Sequence, residues 1–228
     1  MNNTTIIYYT SNREDPAFEA RVQENILKVC GGLPIVSVSQ KPINFGKNVC
    51  VGDVGTSGFN VFRQIEIACK AATTPFVTSA EADCIYPPDY FQFIPPKLDV
   101  CYRNSNTYLV GHRRDYFYKK NEGGVWSQVV GRDFYIKRLG ELFAGAPLWN
   151  VEEKNFPKER RKGEDIFNVI ERFETTNPCI SIKTGKGMRH YSHSDRTPIH
   201  ELPYWGGGKK FVAYFLQGKT IEDKEVTR

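Results

Sequence analysis

Thr5-Ile6-Ile7-Tyr8-Tyr9-Thr10-Ser11-Asn12-Arg13-Glu14-Asp15-Pro16 is the stretch on which the fold turns. Its first five residues are β-branched or aromatic, which is the composition of a buried strand. The polar residues 10–13 then make a turn. Asp15 offers an N-cap oxygen, and Pro16 has the fixed φ that suits a first helical residue. Phe18, Val22, Ile26 and Val29 recur at helical spacing on one face until Gly31-Gly32 stops the pattern. Pro34-Ile35-Val36-Ser37-Val38 reads as a second strand. Strand, helix and strand in this order form the unit of parallel sheets, so an α/β fold is expected.

Further along, the glycine-bearing loop Gly52-Asp53-Val54-Gly55-Thr56-Ser57-Gly58 leads into a helix with Phe59, Phe62, Ile65 and Cys69 on one stripe. Thr74-Pro75-Phe76-Val77-Thr78-Ser79 is a third strand, and it breaks off at Glu81-Ala82-Asp83. Open α/β sheets bind ligands beyond the carboxyl ends of their strands. Two carboxylates one residue apart in a loop can approach a common point, and a hard divalent cation is the usual occupant of such a point. Taken alone, an E-x-D pair is better described as a solvated turn. Past residue 98 the pattern is less regular. Residues 99–103 and 107–110 are expected to pair as a hairpin, 121–126 to be a loop, 133–142 a helix, and Gly163-Glu164-Asp165 to open a helix that runs through Phe173.

The chain has 228 residues, 40% apolar, 25% charged and 13% aromatic, a composition that excludes disorder and suits one domain. Its 31 basic against 26 acidic residues leave +5, a mild preference for anionic partners. Six widely spaced cysteines include no C-x-x-C pair, so buried, reduced thiols are expected. The N-terminal residues lack a basic, apolar leader pattern and no later run approaches spanning length, so a cytoplasmic location is expected.

Residues 52–91, with the Gly/Ser loop, Arg63 on the following helix, Glu81-Ala82-Asp83 at a strand end and then Tyr86-Pro87-Pro88-Asp89-Tyr90-Phe91, resemble the inverting, family-2-like glycosyltransferases of the GT-A fold. The resemblance spans about 90 residues and extends more weakly to about residue 205. It implies a Rossmann-like mixed central sheet flanked by helices, a single domain over 1–228, a nucleotide-sugar-binding half in 1–97 and an acceptor half in 98–228. It implies a nucleotide-sugar donor, UDP in particular, and a divalent cation, Mn²⁺ or Mg²⁺, on a D-x-D-type motif. Here Glu81 stands where the family has Asp, which makes Asp83 the expected ligand and leaves Glu81 to act through water or a ribose hydroxyl. Thr10, Ser11 and Asn12 match the region that holds base and ribose. Arg63 would offset charge on the leaving diphosphate. Gly163-Glu164-Asp165 resembles the family's E-D motif, so Asp165 is the expected base on the acceptor hydroxyl; equally, Glu164 and Asp165 suit the positive end of a helix. His190 and His193 match a late histidine that completes the metal shell, His193 slightly ahead.

Trp126, Trp149 and Trp205 suit either stacking on a ring or the core, and three glycines after Trp205 imply a mobile or closely approached loop. Basic residues at Arg103, His112-Arg113-Arg114, Lys119-Lys120 and 158–162, with Tyr116, Phe117 and Tyr118 between two of the clusters, could track a phosphate backbone and stack on bases. The expected acceptor is therefore DNA, for instance a 5-hydroxymethylpyrimidine of the kind found in hypermodified phage DNA. A polysaccharide or protein acceptor, or a non-catalytic nucleotide- or nucleic-acid-binding module, is the alternative.

Overall fold

The computed structural model describes residues 3–120, 123–150, 166–167, 169–184 and 197–219. In chain order the elements are β1 (Thr4–Thr10), α1 (Pro16–Val29), β2 (Ile35–Ser39), β3 (Lys47–Cys50), α2 (Gly58–Ala71), β4 (Phe76–Glu81), β5 (Cys84–Ile85), α3 (Pro88–Gln92), β6 (Cys101–Asn104) and β7 (Thr107–Gly111). There follow β8 (Phe117–Lys119), β9 (Gln128–Gly131), α4 (Arg132–Leu142), β10 (Ile170–Phe173), β11 (Cys179–Lys183), β12 (Glu201–Leu202), β13 (Gly206–Gly207) and α5 (Gly208–Gln217).

The start of the chain folds as its local signals dictate. All seven residues of β1 are buried, as an unalternating apolar strand requires. Asp15 caps α1, its Oδ1 accepting the Phe18 N–H at 3.0 Å, with Pro16 at the first position. Ser57 caps α2 in the same way, accepting from the Asn60 N–H at 3.1 Å. The apolar stripes of the two helices then enter separate cores on opposite faces of one sheet. Phe18, Val22, Ile26 and Val29 join Ile6 and Tyr8. Phe59, Phe62, Ile65 and Cys69 join Ile7 and Tyr9. The fold is thus α/β with a mixed central sheet flanked by helices, as expected from the sequence.

The seven strands of that sheet run in the order β10-β6-β9-β4-β1-β2-β3. β3, β2, β1 and β4 are parallel, while β9 lies antiparallel between β4 and β6. A second sheet, β5-β11-β7-β8, packs with α1 and α5 on one face, and α2 and α4 cover the other.

Two expectations fail past residue 98. β6 and β7 are not a hairpin: the chain leaves the central sheet after Asn104 and enters the second sheet at Thr107. Asn104 turns this corner. It is fully buried, its Nδ2 donates to Thr175 Oγ1 at 2.9 Å, and its Oδ1 accepts from the backbone N–H of Asn106 at 3.0 Å and of Thr175 at 3.2 Å. The expected helix through Phe173 is replaced at its end by β10, which pairs parallel to β6. Val169 and Ile170 make the segment β-prone, and a short edge strand has too few residues to reveal its period. All six cysteines are unpaired, five of them buried and Cys50 exposed. Among the described residues, no helix is long and apolar enough to cross a membrane.

Replacing Asn104 with Ala strips two backbone donors of their acceptor at the corner, one of them buried. An Asn104→Ala variant is expected to lose about 2–3 kcal/mol of stability in urea unfolding with an unchanged m-value; a loss under about 0.5 kcal/mol would mean that the corner holds without this side chain.

Candidate active site

The carboxyl ends of β1 and β4 lie side by side, with Tyr9 in register with Glu81. From β1 the chain builds outward to β2 and β3, then returns past β1 to lay down β4 on its other side. The crevice at such a reversal is where open α/β sheets take their ligands. Glu81 ends β4 at this point.

Its carboxyl is fixed from below. The Tyr9 hydroxyl donates to Glu81 Oε1 at 2.9 Å, and the Glu81 backbone N–H donates at 3.0 Å to the hydroxyl of buried Tyr86, which itself donates to the Trp126 carbonyl at 2.8 Å. Asp83 is held from the second sheet. β5 pairs antiparallel with β11, and the Ile182 N–H donates to the Asp83 carbonyl at 2.7 Å. The same pairing brings Lys183 Nζ within 3.6 Å of Asp83 Oδ2. Both acids are half-buried.

Ligand atoms of Glu81, Asp83 and Cys84 lie within 4.8 Å of one another. Cys84 is fully buried, and burial together with the charges of Asp83 and Glu81 pushes its thiol well above the usual range, so it stays protonated. A thiol is a soft donor, so a hard cation would draw on the two carboxylates rather than on Cys84. Burial, reinforced by the neighbouring charge of Asp83, raises Glu81 to about 7, against the opposing pull of the Tyr9 hydrogen bond and the cations Lys183 and Lys120. A carboxyl that resists ionising, with a second carboxylate beside it, fits a divalent cation, whose charge would favour the ionised form of Glu81.

The other expected site residues fall in three groups. Thr10 and Asn12 sit at the end of β1 beside the acids, but their polar atoms shape the turn. Thr10 Oγ1 accepts the Asn12 N–H at 2.9 Å, and Asn12, at φ 53°, accepts the Lys41 N–H at 2.8 Å, tying the turn to the end of β2. Ser11 between them is half-buried. Arg63 is used elsewhere: it pairs with Glu66 at 2.9 Å, donates to the Pro147 carbonyl at 2.9 Å and lies 3.7 Å from the Phe143 ring centre. Those contacts pin α2 to the segment after α4 and include neither acid. Asp165, with Glu164, and both His190 and His193 lie outside the described residues, as does the basic run 158–162.

Trp126 is buried beside Tyr86, and Trp205 donates to the Pro178 carbonyl at 2.6 Å while packing on Phe211 and Phe215; both are packing residues. The glycines after Trp205 mark a close approach, since a Cβ on Gly208 would meet the Asp115 carbonyl oxygen at 2.4 Å. Lys183, Lys120 and Tyr9 were not visible as site residues in the sequence. Cys179-Ile180-Ser181-Ile182-Lys183 reads as a strand ending in a cation, but only its pairing with β5 aims that cation at Asp83.

No protein-family model matches the chain, and no curated protein matches it. Solved structures share part of its layout. TarS residues 1–349 from S. aureus, in complex with UDP-GlcNAc, is 11% identical with a TM-score of 0.48, over 83% of this chain and 60% of that one. A glycosyltransferase involved in glycosylation of the PBCV-1 major capsid is 12% identical with a TM-score of 0.46, over 78% and 92%. A nucleotidyl transferase from Methanothermobacter is 13% identical with a TM-score of 0.46, over 78% and 89%. This chain therefore spans three fifths of the TarS fragment.

Because Glu81 is raised from 4.5 to about 7, the folded state binds an extra proton between those values. Stability from this group is full below about pH 4.5 and is lost as pH rises through about 7. Glu81→Gln should remove that slope and exceed the parent in stability above pH 7.5 by roughly 2 kcal/mol, less than full burial would give because Glu81 is partly solvated. Parallel stability–pH curves for parent and variant would contradict this.

Proposed function

We propose that the chain is a cation-dependent glycosyltransferase of the GT-A type, which moves a sugar from a nucleoside diphosphate sugar, UDP being the favoured carrier, to an acceptor hydroxyl with inversion. The observation that supports this most is the Glu81–Asp83 pair at the reversal point of the sheet, backed by Tyr9 and faced by a cation from the second sheet.

In this reading Asp83 holds the divalent cation directly, and Glu81 completes its site or contacts ribose. The bound cation supplies charge neutralisation for the departing diphosphate. Lys183, with its ammonium 3.6 Å from Asp83, would take the assisting part expected of Arg63 and pair with a phosphate oxygen of the donor. Lys120, whose charge already acts on Glu81, adds to the same positive wall. Ser11 and the turn backbone at the end of β1 face the base and ribose. Asp165 is the proposed base on the acceptor hydroxyl, and His193 or His190 a further ligand, on the strength of the motif and of position in the chain. The acceptor is proposed to be a hydroxymethylated pyrimidine in DNA, reached outside the base stack.

Incubation with a panel of nucleotide sugars, Mn²⁺ and DNA containing 5-hydroxymethylpyrimidine tests this, with free nucleotide and digested nucleosides read by mass spectrometry. Expected are nucleoside diphosphate release, a hexose- or pentose-sized mass on the modified nucleoside, and at least a hundredfold loss of release in Asp83→Ala. Release without nucleoside modification would overturn the DNA acceptor. Release of nucleoside monophosphate in place of diphosphate, or no turnover with any donor, would overturn the transferase reading.

A further inference from the structure

The cluster of basic and aromatic residues between 112 and 120 divides when folded, and the division is informative. Phe117 is fully buried, packed edge-on to Phe211, and belongs to the core. Tyr118 alternates with Phe117 in β8, the edge strand of the second sheet, and so faces the other way, while Tyr116 stands just before the strand with its ring against that of Tyr118. Both are half-buried, with ring centres 5.1 Å apart and planes at 90°. His200, more than eighty positions later, is brought to the same place, its ring 5.9 Å from that of Tyr116. The Arg114 guanidinium lies 5.7 Å from the Tyr116 ring centre.

Around these rings the stretch His112-Arg113-Arg114-Asp115-Tyr116-Phe117-Tyr118-Lys119-Lys120 has four permanent cations and one carboxylate. His112, Arg113, Arg114, Lys119 and His200 are exposed, as are Asp115 and Glu201. Rings set in a T with an arginine and an imidazole beside them offer π-faces at the surface within a positive field. Stacking on such faces tolerates any base, and the surrounding cations suit a phosphate backbone. A neutral saccharide would draw on the rings but gain nothing from the cations.

We infer that Arg114, Tyr116, Tyr118 and His200 form a binding platform for single-stranded nucleic acid. The platform stands on its own residues. That a strand bound there is the acceptor rests on the transferase reading.

Fluorescence anisotropy with a labelled 20-mer of single-stranded DNA, in the absence of donor, reads this directly. The parent should bind with an affinity that falls steeply with salt, and should prefer the single strand to the matching duplex. Tyr116→Leu with Tyr118→Leu keeps the apolar bulk and removes the rings, and should weaken binding about tenfold or more with an unchanged melting temperature. Arg114→Gln should lower the logarithmic salt slope by about one. Should the leucine pair unfold, Tyr116→Leu alone with His200→Ala reads the same loss. Parent-like binding by the ring-less variants, equal affinity for duplex, or binding of a neutral oligosaccharide but not of DNA would overturn the platform. Mn²⁺-dependent UDP binding, measured on the same variants, should stay at the parent level; its absence from the parent would count against the transferase reading and leave the platform untouched.

Discussion

Two carboxylates, Glu81 and Asp83, are held at one end of a buried strand, and much of the local structure is arranged around keeping them there. Strand β4 must be buried to pair with β1, so it delivers Glu81 into a place with little water, directly above Tyr9. The backbone of Asp83 is fixed because its carbonyl accepts the Ile182 N–H of β11. The like charges are offset by Lys183 and Lys120, both contributed by segments around the second sheet. That sheet therefore does more than extend the core: without β5 and β11 the acids would have neither a fixed second wall nor a facing cation.

β1, α1, β2, α2 and β4 were legible in the sequence because their signals are local, whereas the short β3, β5 and α3 were not legible. Asp15 and Ser57 cap helices whose stripes repeat cleanly, and β1 and β4 are apolar runs bounded by turns. The later half failed where structure is non-local. A buried Asn104 decides that β6 and β7 belong to different sheets, and no propensity announces a corner built from contacts to Thr175 and Cys179. β10 lies at a sheet edge and has four residues, too few for a period to show.

The site divides in the same way. Glu81 and Asp83 were readable because the end of a strand is a position in sequence as well as in space. Arg63 was readable as a cation on the right helix, but spacing does not say that its guanidinium turns to Glu66, Pro147 and Phe143. Lys183 was invisible for the complementary reason, since 100 residues of chain separate it from the acid it meets. The aromatic cluster shows a third case: Phe117 had the composition of a surface contact and the alternation of a core residue, and alternation prevailed.

The central claim is that Glu81 and Asp83 share a site made for a divalent cation. The most direct test is calorimetric titration of Mn²⁺ into the protein without nucleotide, at pH 6.5, in two buffers of different ionisation enthalpy, which counts the protons released per ion bound. With Glu81 near 7, entry of the cation should expel more than half a proton per ion in the parent and almost none in Glu81→Gln, and Asp83→Asn should abolish the binding. Mn²⁺ binding that releases no proton, or that survives in Asp83→Asn, would contradict the account.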